Sequence, residues 1–224
     1  MGRAYDQGGT GGYRYTGEGA AVACGTQSKQ NTALMLRYII VRLHPMQELP
    51  LLPLAQMADR HYGLIEPIAD GYVAAARVCL DRHHQSPIPI GIQNSTAEIH
   101  AKVQWERADD RTRGALNNDI DTTEAGAYAC IIAAVELSEG LFAVRRAETS
   151  TGADYYVAPV GKGLDDLEDC LRLEVSGTDR GNKTAVQRLL QRKVQQAREG
   201  NSNLPALAGV IGFEVLTILI EHVK

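Results

Sequence analysis

Gly152-Ala153-Asp154-Tyr155-Tyr156-Val157 and Leu171-Arg172-Leu173-Glu174-Val175-Ser176-Gly177 are two β-like stretches, and each carries one awkwardly placed acid. In the second, Leu171, Leu173 and Val175 alternate with Arg172, Glu174 and Ser176, which is the period of a half-buried strand. Glu174 and Ser176 then share a face, opposite the Leu/Val face. Asp154 opens a Tyr-Tyr-Val strand two residues after a glycine, where β-propensity disfavours aspartate. Acids on neighbouring strands make a pocket suited to a hard divalent cation. The other reading is a pair of solvent-facing acids, or Glu174 paired with Arg145 or Arg172.

Working outward, Thr122 or Thr123 caps an apolar helix, Glu124–Ser138, that Gly140 ends. Leu141–Arg146 reads as a strand, and Ser150-Thr151-Gly152 as the turn before the Asp154 strand. Gly161-Lys162-Gly163 and the acids from Asp165 to Asp169 make a solvated connection to the Glu174 strand. A helix from about Thr184 to Glu199 comes next, with Val186, Leu189, Leu190, Val194 and Ala197 on its buried face. An apolar run, Ala206–Phe213, and a last strand or short helix, Leu216–Val223, complete the chain. The order helix, strand, strand, strand, helix, strand predicts an α/β layout with a sheet buried between helices over 119–224.

Upstream, residues 31–110 read as mostly helical and ending in a strand. Thr32–His44 and Leu54–His61 have helical patterning, as does about Pro67–His83, while Pro87 and Pro89 break the stretch after it. Thr96–Trp105 alternates as a strand, and Asp109–Asn118 is polar enough for a loop or linker. Residues 1–30 are glycine-rich and read as a flexible leader. Gly25-Thr26-Gln27-Ser28-Lys29 lacks the Lys-Ser/Thr ending of a phosphate-binding loop.

The 224 residues allow one large or two small domains, and a net charge of −4 gives no global attraction to nucleic acid. Any such binding needs a local basic patch. Cys24, Cys79, Cys130 and Cys170 are too widely spaced for a zinc site and suggest no disulfide framework. No signal pattern and no apolar run near the roughly 20 residues of a membrane span is present, so a reduced, cytoplasmic setting without membrane contact is expected.

The element order together with Asp154 and Glu174 resembles the core of the PD-(D/E)XK nuclease superfamily, over roughly the C-terminal hundred residues. In that family a helix precedes a β-meander, followed by a helix and a further strand; one catalytic acid starts a strand and the second lies on the next strand in an acid-x-lysine triplet. The Gly-x-Asp-Tyr and Leu-Glu-Val-Ser-Gly wording is also similar to that of a group of bacterial proteins.

The resemblance implies a restriction-endonuclease-like mixed sheet flanked by helices. It matches Asp154 to the first acid, Glu174 to the second, and Glu124 or Glu136 to a glutamate on the preceding helix. Ser176 stands where the family carries its lysine and cannot supply positive charge. Lys193 or Lys183 on the following helix can stand in. The implied activity is Mg²⁺- or Mn²⁺-dependent nucleic-acid cleavage, with DNA as substrate, in phage defence or DNA processing. Asp154, Glu174 and Glu124 would hold the metal, and Ser176 and Lys193 would complete the catalytic set. The alternative is a catalytically inactive subunit that keeps the fold as a scaffold for a protein partner or a second copy of itself.

Three features have two readings each. Lys183, Arg188 and Arg192 on the following helix fit contacts to a phosphate backbone, or an ordinary solvated face. His83-His84, beside Asp81 and Arg82, fits a metal or acid/base site, or a polar helix end. Of Tyr155 and Tyr156, one should pack in the core, and the other could pack or stack on a base.

Overall fold

The computed structural model describes residues 49–163 and 167–223. The expected leader over 1–30 and the helix Thr32–His44 lie outside the described residues, as does part of the connection after Gly163. The described residues form one compact unit. Its elements are α1 (Met57–Arg60), α2 (Glu66–His83), β1 (Ile88–Gln93), β2 (Glu98–Val103), α3 (Asp110–Ala115), α4 (Asp119–Glu139), β3 (Phe142–Arg146), β4 (Tyr155–Ala158), β5 (Leu171–Thr178), α5 (Lys183–Glu199), β6 (Ala206–Gly212) and β7 (Thr217–Val223). Among them no helix is long and apolar enough to cross a membrane.

Seven strands form one mixed sheet in the order β2-β1-β7-β6-β5-β4-β3. β5 runs parallel to β6 and β1 parallel to β7, and the other neighbours are antiparallel. The chain is therefore α/β, with a mixed sheet between helical layers. On one face, Cys79 and Leu80 of α2 and Ala127, Ile131 and Val135 of α4 pack against Leu173, Val175, Leu207 and Ile211. On the other, Val186, Leu190, Val194 and Ala197 of α5 cover Ala206, Ala208, Val210 and Leu219. β6 is buried along its whole length because both of its faces are covered.

β1 replaces the break that Pro87 and Pro89 suggest. Ile90 and Ile92 point inward, and only Gly91–Gln93 pair with β7, so Pro89 sits where its missing N–H interrupts no second ladder. α4 begins earlier than Thr122 or Thr123 suggest. Asn118 is the cap, with Oδ1 accepting from the backbone N–H of Ile120 at 3.0 Å and of Asp121 at 3.2 Å. Asp119 and Asp121 then sit at the positive end of the helix dipole, and Thr122 and Thr123 are buried within the helix. The polar stretch before it contains α3, whose cap Asp109 accepts from the Thr112 N–H at 2.7 Å.

Both sheet edges are partly covered. The Leu52 N–H donates to the Lys102 carbonyl of β2 at 2.9 Å, and the Gly63 N–H to the Ala143 carbonyl of β3 at 2.9 Å. The Ala143 N–H in turn donates to Nδ1 of buried His61 at 3.0 Å, which leaves His61 Nε2 to donate to Glu136 at 2.9 Å. These contacts occupy backbone groups of one residue on each edge strand, which shortens the free edge there.

Candidate active site

Asp154 is positioned from its own backbone outward. Gly152, at φ 67°, turns the chain so tightly that a Cβ there would lie 2.7 Å from the Gln196 carbonyl, which brings the end of α5 against the start of β4. The Asp154 N–H donates to the Leu173 carbonyl at 2.8 Å, extending the β4–β5 pairing. Both oxygens of its carboxylate accept: Oδ2 from the Val175 N–H at 2.8 Å, and Oδ1 from the Tyr128 hydroxyl at 2.7 Å. Arg146 stands 3.4 Å from the same Oδ1.

Glu174 lies on β5, its side chain 4% exposed, and accepts on Oε1 from Lys193 Nζ of α5 at 2.7 Å. Lys193 also donates to Gln196 Oε1 at 3.1 Å. Burial pushes the Glu174 carboxyl above the ordinary carboxylate value, and the neighbouring Asp154 charge adds to this, while Lys193 pulls the other way. Burial, then the Asp154 charge, likewise raises Tyr128, so its phenol stays protonated as a donor.

A cleft of about 620 Å³ is lined by Glu124, Arg146, Asp154, Glu174, Lys193 and Gln196, among others. A second, of about 550 Å³, is lined by Ser176, Thr178 and Arg180 and shares Glu124, Val175 and Lys193 with the first. Asp154, Glu174, Lys193 and Glu124 thus meet in one cleft, with Ser176 in the adjoining one. Among the described residues Glu124 is linked to the acids through Tyr128, whose hydroxyl is 3.5 Å from its Oε1. Among the described residues no group of three His, Cys, Asp or Glu side chains stands ready to hold a metal ion. Lys183, Arg188 and Arg192 are exposed on α5 and line neither cleft.

The competing partners of Glu174 are occupied elsewhere. Arg172 is buried and donates to the carbonyls of Leu204, Thr151 and Ala197. Arg145 pairs with Glu148 and lies over the Tyr156 ring. Glu136, the other helix acid, is held far along α4 by Arg60 at 2.7 Å and by His61. His83 Nε2 pairs with Asp179 at 3.2 Å, and His84 Nε2 donates to the Phe213 carbonyl at 2.7 Å, at the C-terminal end of α2. Tyr155 and Tyr156 are both buried.

Arg146 and Tyr128 also line the cleft, and neither stands out in the sequence. Tyr128 sits one helical turn after Glu124, a spacing that places both on one face of α4. Arg146 ends β3, with its guanidinium 4.7 Å from the ring centres of both Tyr128 and Tyr155. Comparison of the chain with family models, curated proteins and solved structures finds no match.

Proposed function

We propose that this cleft hydrolyses phosphodiester bonds of nucleic acid, DNA foremost, on a restriction-endonuclease-like core, with Mg²⁺ or Mn²⁺ held by Asp154 and Glu174. The observation that carries the reading is the meeting of these two acids with Lys193. The lysine comes from the following helix and brings its ammonium within 2.7 Å of Glu174. Positive charge thereby reaches a site whose strand supplies only Ser176.

The donors suit the ion. Both acids offer oxygen alone, and Glu174 accepts from Lys193 on Oε1. Mg²⁺ keeps several waters and is commonly bound by one or two carboxylates plus substrate phosphate, so a third acid is not required. When bound, such an ion lowers the pKa of a water and polarises a phosphoryl oxygen. The protein's own groups prepare the place. Tyr128 and the Val175 N–H fix the Asp154 carboxylate, and Lys193 favours the ionised form of Glu174. The cleft linings also include Asp119, Glu124, Glu148, Asp179 and Glu199, so approach of a polyanion depends on bound cations.

The test is cleavage of plasmid and linear DNA by the purified protein with Mg²⁺ or Mn²⁺, beside Asp154→Asn and Glu174→Gln. Cutting that needs the metal and is lost in both variants supports the reading. No cutting, or equal cutting by the variants, sinks it and favours a nuclease-like scaffold that binds a protein partner.

A further inference from the structure

Among the described residues, two cations line the main cleft, Lys193 and Arg146. Lys193 is committed to a close ion pair with Glu174. Arg146 is held differently. Its guanidinium lies against the faces of Tyr128 and Tyr155, and Nη2 donates to the Tyr128 hydroxyl at 3.1 Å. Nη2 also donates to Asp154 Oδ1 at 3.4 Å, a single long ion pair rather than a bidentate one. The side chain is 49% exposed.

The support beneath it is layered. The Tyr128 and Tyr155 rings meet edge to face at 5.9 Å, Tyr72 lies 4.9 Å from Tyr128, and the Tyr72 and Tyr155 hydroxyls are 3.0 Å apart. Ring faces and phenol oxygens orient a guanidinium without cancelling its charge, unlike a bidentate carboxylate. An arginine fixed in this way beside two acids is prepared for an anion that arrives with the substrate.

We propose that Arg146 is the phosphate-binding residue of the cleft, taking non-bridging oxygens of a nucleic-acid phosphate while the tyrosine stack holds its fork in place. This rests on the nucleic-acid reading of the cleft but not on catalysis. A guanidinium matches two phosphate oxygens at once, which an ammonium cannot do.

The experiment measures fluorescence anisotropy of a labelled single-stranded DNA with the full-length protein in Ca²⁺, at several salt concentrations. Wild type is compared with Arg146→Lys and Arg146→Ala, and thermal melts check the fold of each. Loss of one charge-assisted contact should weaken binding by about ten- to a hundredfold in R146A. The slope of log K against log salt should also fall by about 0.7, the share of one phosphate contact on a single strand. R146K should keep most of the salt slope and lose much of the affinity, a pattern that a merely structural role does not produce. This result supports the proposal even if no metal supports cleavage, in which case the nuclease reading alone falls. Equal affinity and slope in wild type and R146A, or no DNA binding by wild type, overturns the proposal whether or not cutting is seen.

Discussion

Lys193 Nζ and Glu174 Oε1 lie 2.7 Å apart, joining α5 to β5 through a carboxylate that is almost wholly buried. Removing one partner of such a pair leaves an uncompensated charge, which costs about 3–5 kcal/mol when the remaining group stays ionised. Lys193→Met is therefore expected to lower stability by about that much at mildly alkaline pH. The loss should shrink in acid, where Glu174 can take up a proton. Urea melts of wild type, K193M, E174Q and the double variant isolate the pair, and additive effects in that cycle would contradict the coupling.

The same glutamate sets a pH dependence. Its folded-state pKa is raised above the ordinary 4.5, chiefly by burial. The folded protein thus holds this proton more tightly than the unfolded chain. That contribution to stability is full below 4.5 and is lost as pH rises through the raised value. Ligand strength runs the opposite way, since only the ionised carboxylate binds a cation. On the proposed reading, Mn²⁺-dependent cleavage should rise with pH through the raised value, and Lys193→Met should move that rise to higher pH. A pH–rate profile unchanged by the substitution would count against the role given to Lys193.

His61 behaves with the opposite sign. It is fully buried, and burial lowers its pKa below the ordinary 6.5 despite the neighbouring Glu136. Its neutral form accepts from the Ala143 N–H. The stability it contributes is present above 6.5 and is lost as pH falls through the depressed value. His61→Leu leaves that N–H and the Glu136 oxygen without their partner. It should cost about 1–3 kcal/mol at neutral pH and flatten the acid side of the stability curve. Chemical denaturation across the acid range reads both effects.

Two glycines mark places where layers touch closely. A Cβ on Gly209 of β6 would lie 2.4 Å from Ile131 Cγ2, and one on Gly126 of α4 would lie 3.0 Å from the Ala76 backbone of α2. Gly126→Ala meets the α2 main chain, and Gly209→Ala meets the Cγ2 of a fully buried isoleucine whose β-branched side chain is stiff in a helix. Both should destabilise, G126A by about 1–3 kcal/mol. Thermal melts that show neither variant below wild type would refute this packing account.

The legibility of the fold depended on how local each signal was. Alternation in Leu171–Ser176 set Glu174 on the face opposite Leu173 and Val175, and the structure buries that face too instead of leaving the strand half-buried. The apolar spacing of Val186, Leu190 and Val194 gave α5 its buried stripe. β1 stayed hidden because its prolines read as breakers, and their tolerance depends on which neighbour pairs at that end of the strand. The start of α4 was obscured by two threonines that look like caps but are buried in the helix.

The sequence by itself determined the alternation that sets Glu174 opposite Leu173 and Val175, the strand start that carries Asp154, and the serine at position 176. These come from periodicities of one chain segment and from residue identity. Tertiary structure alone decided which lysine serves Glu174, that Glu124 rather than Glu136 lines the cleft, and that Arg146 rests on Tyr128 and Tyr155. Those outcomes depend on how separate elements pack, and pairing between distant segments leaves no periodic trace in the chain.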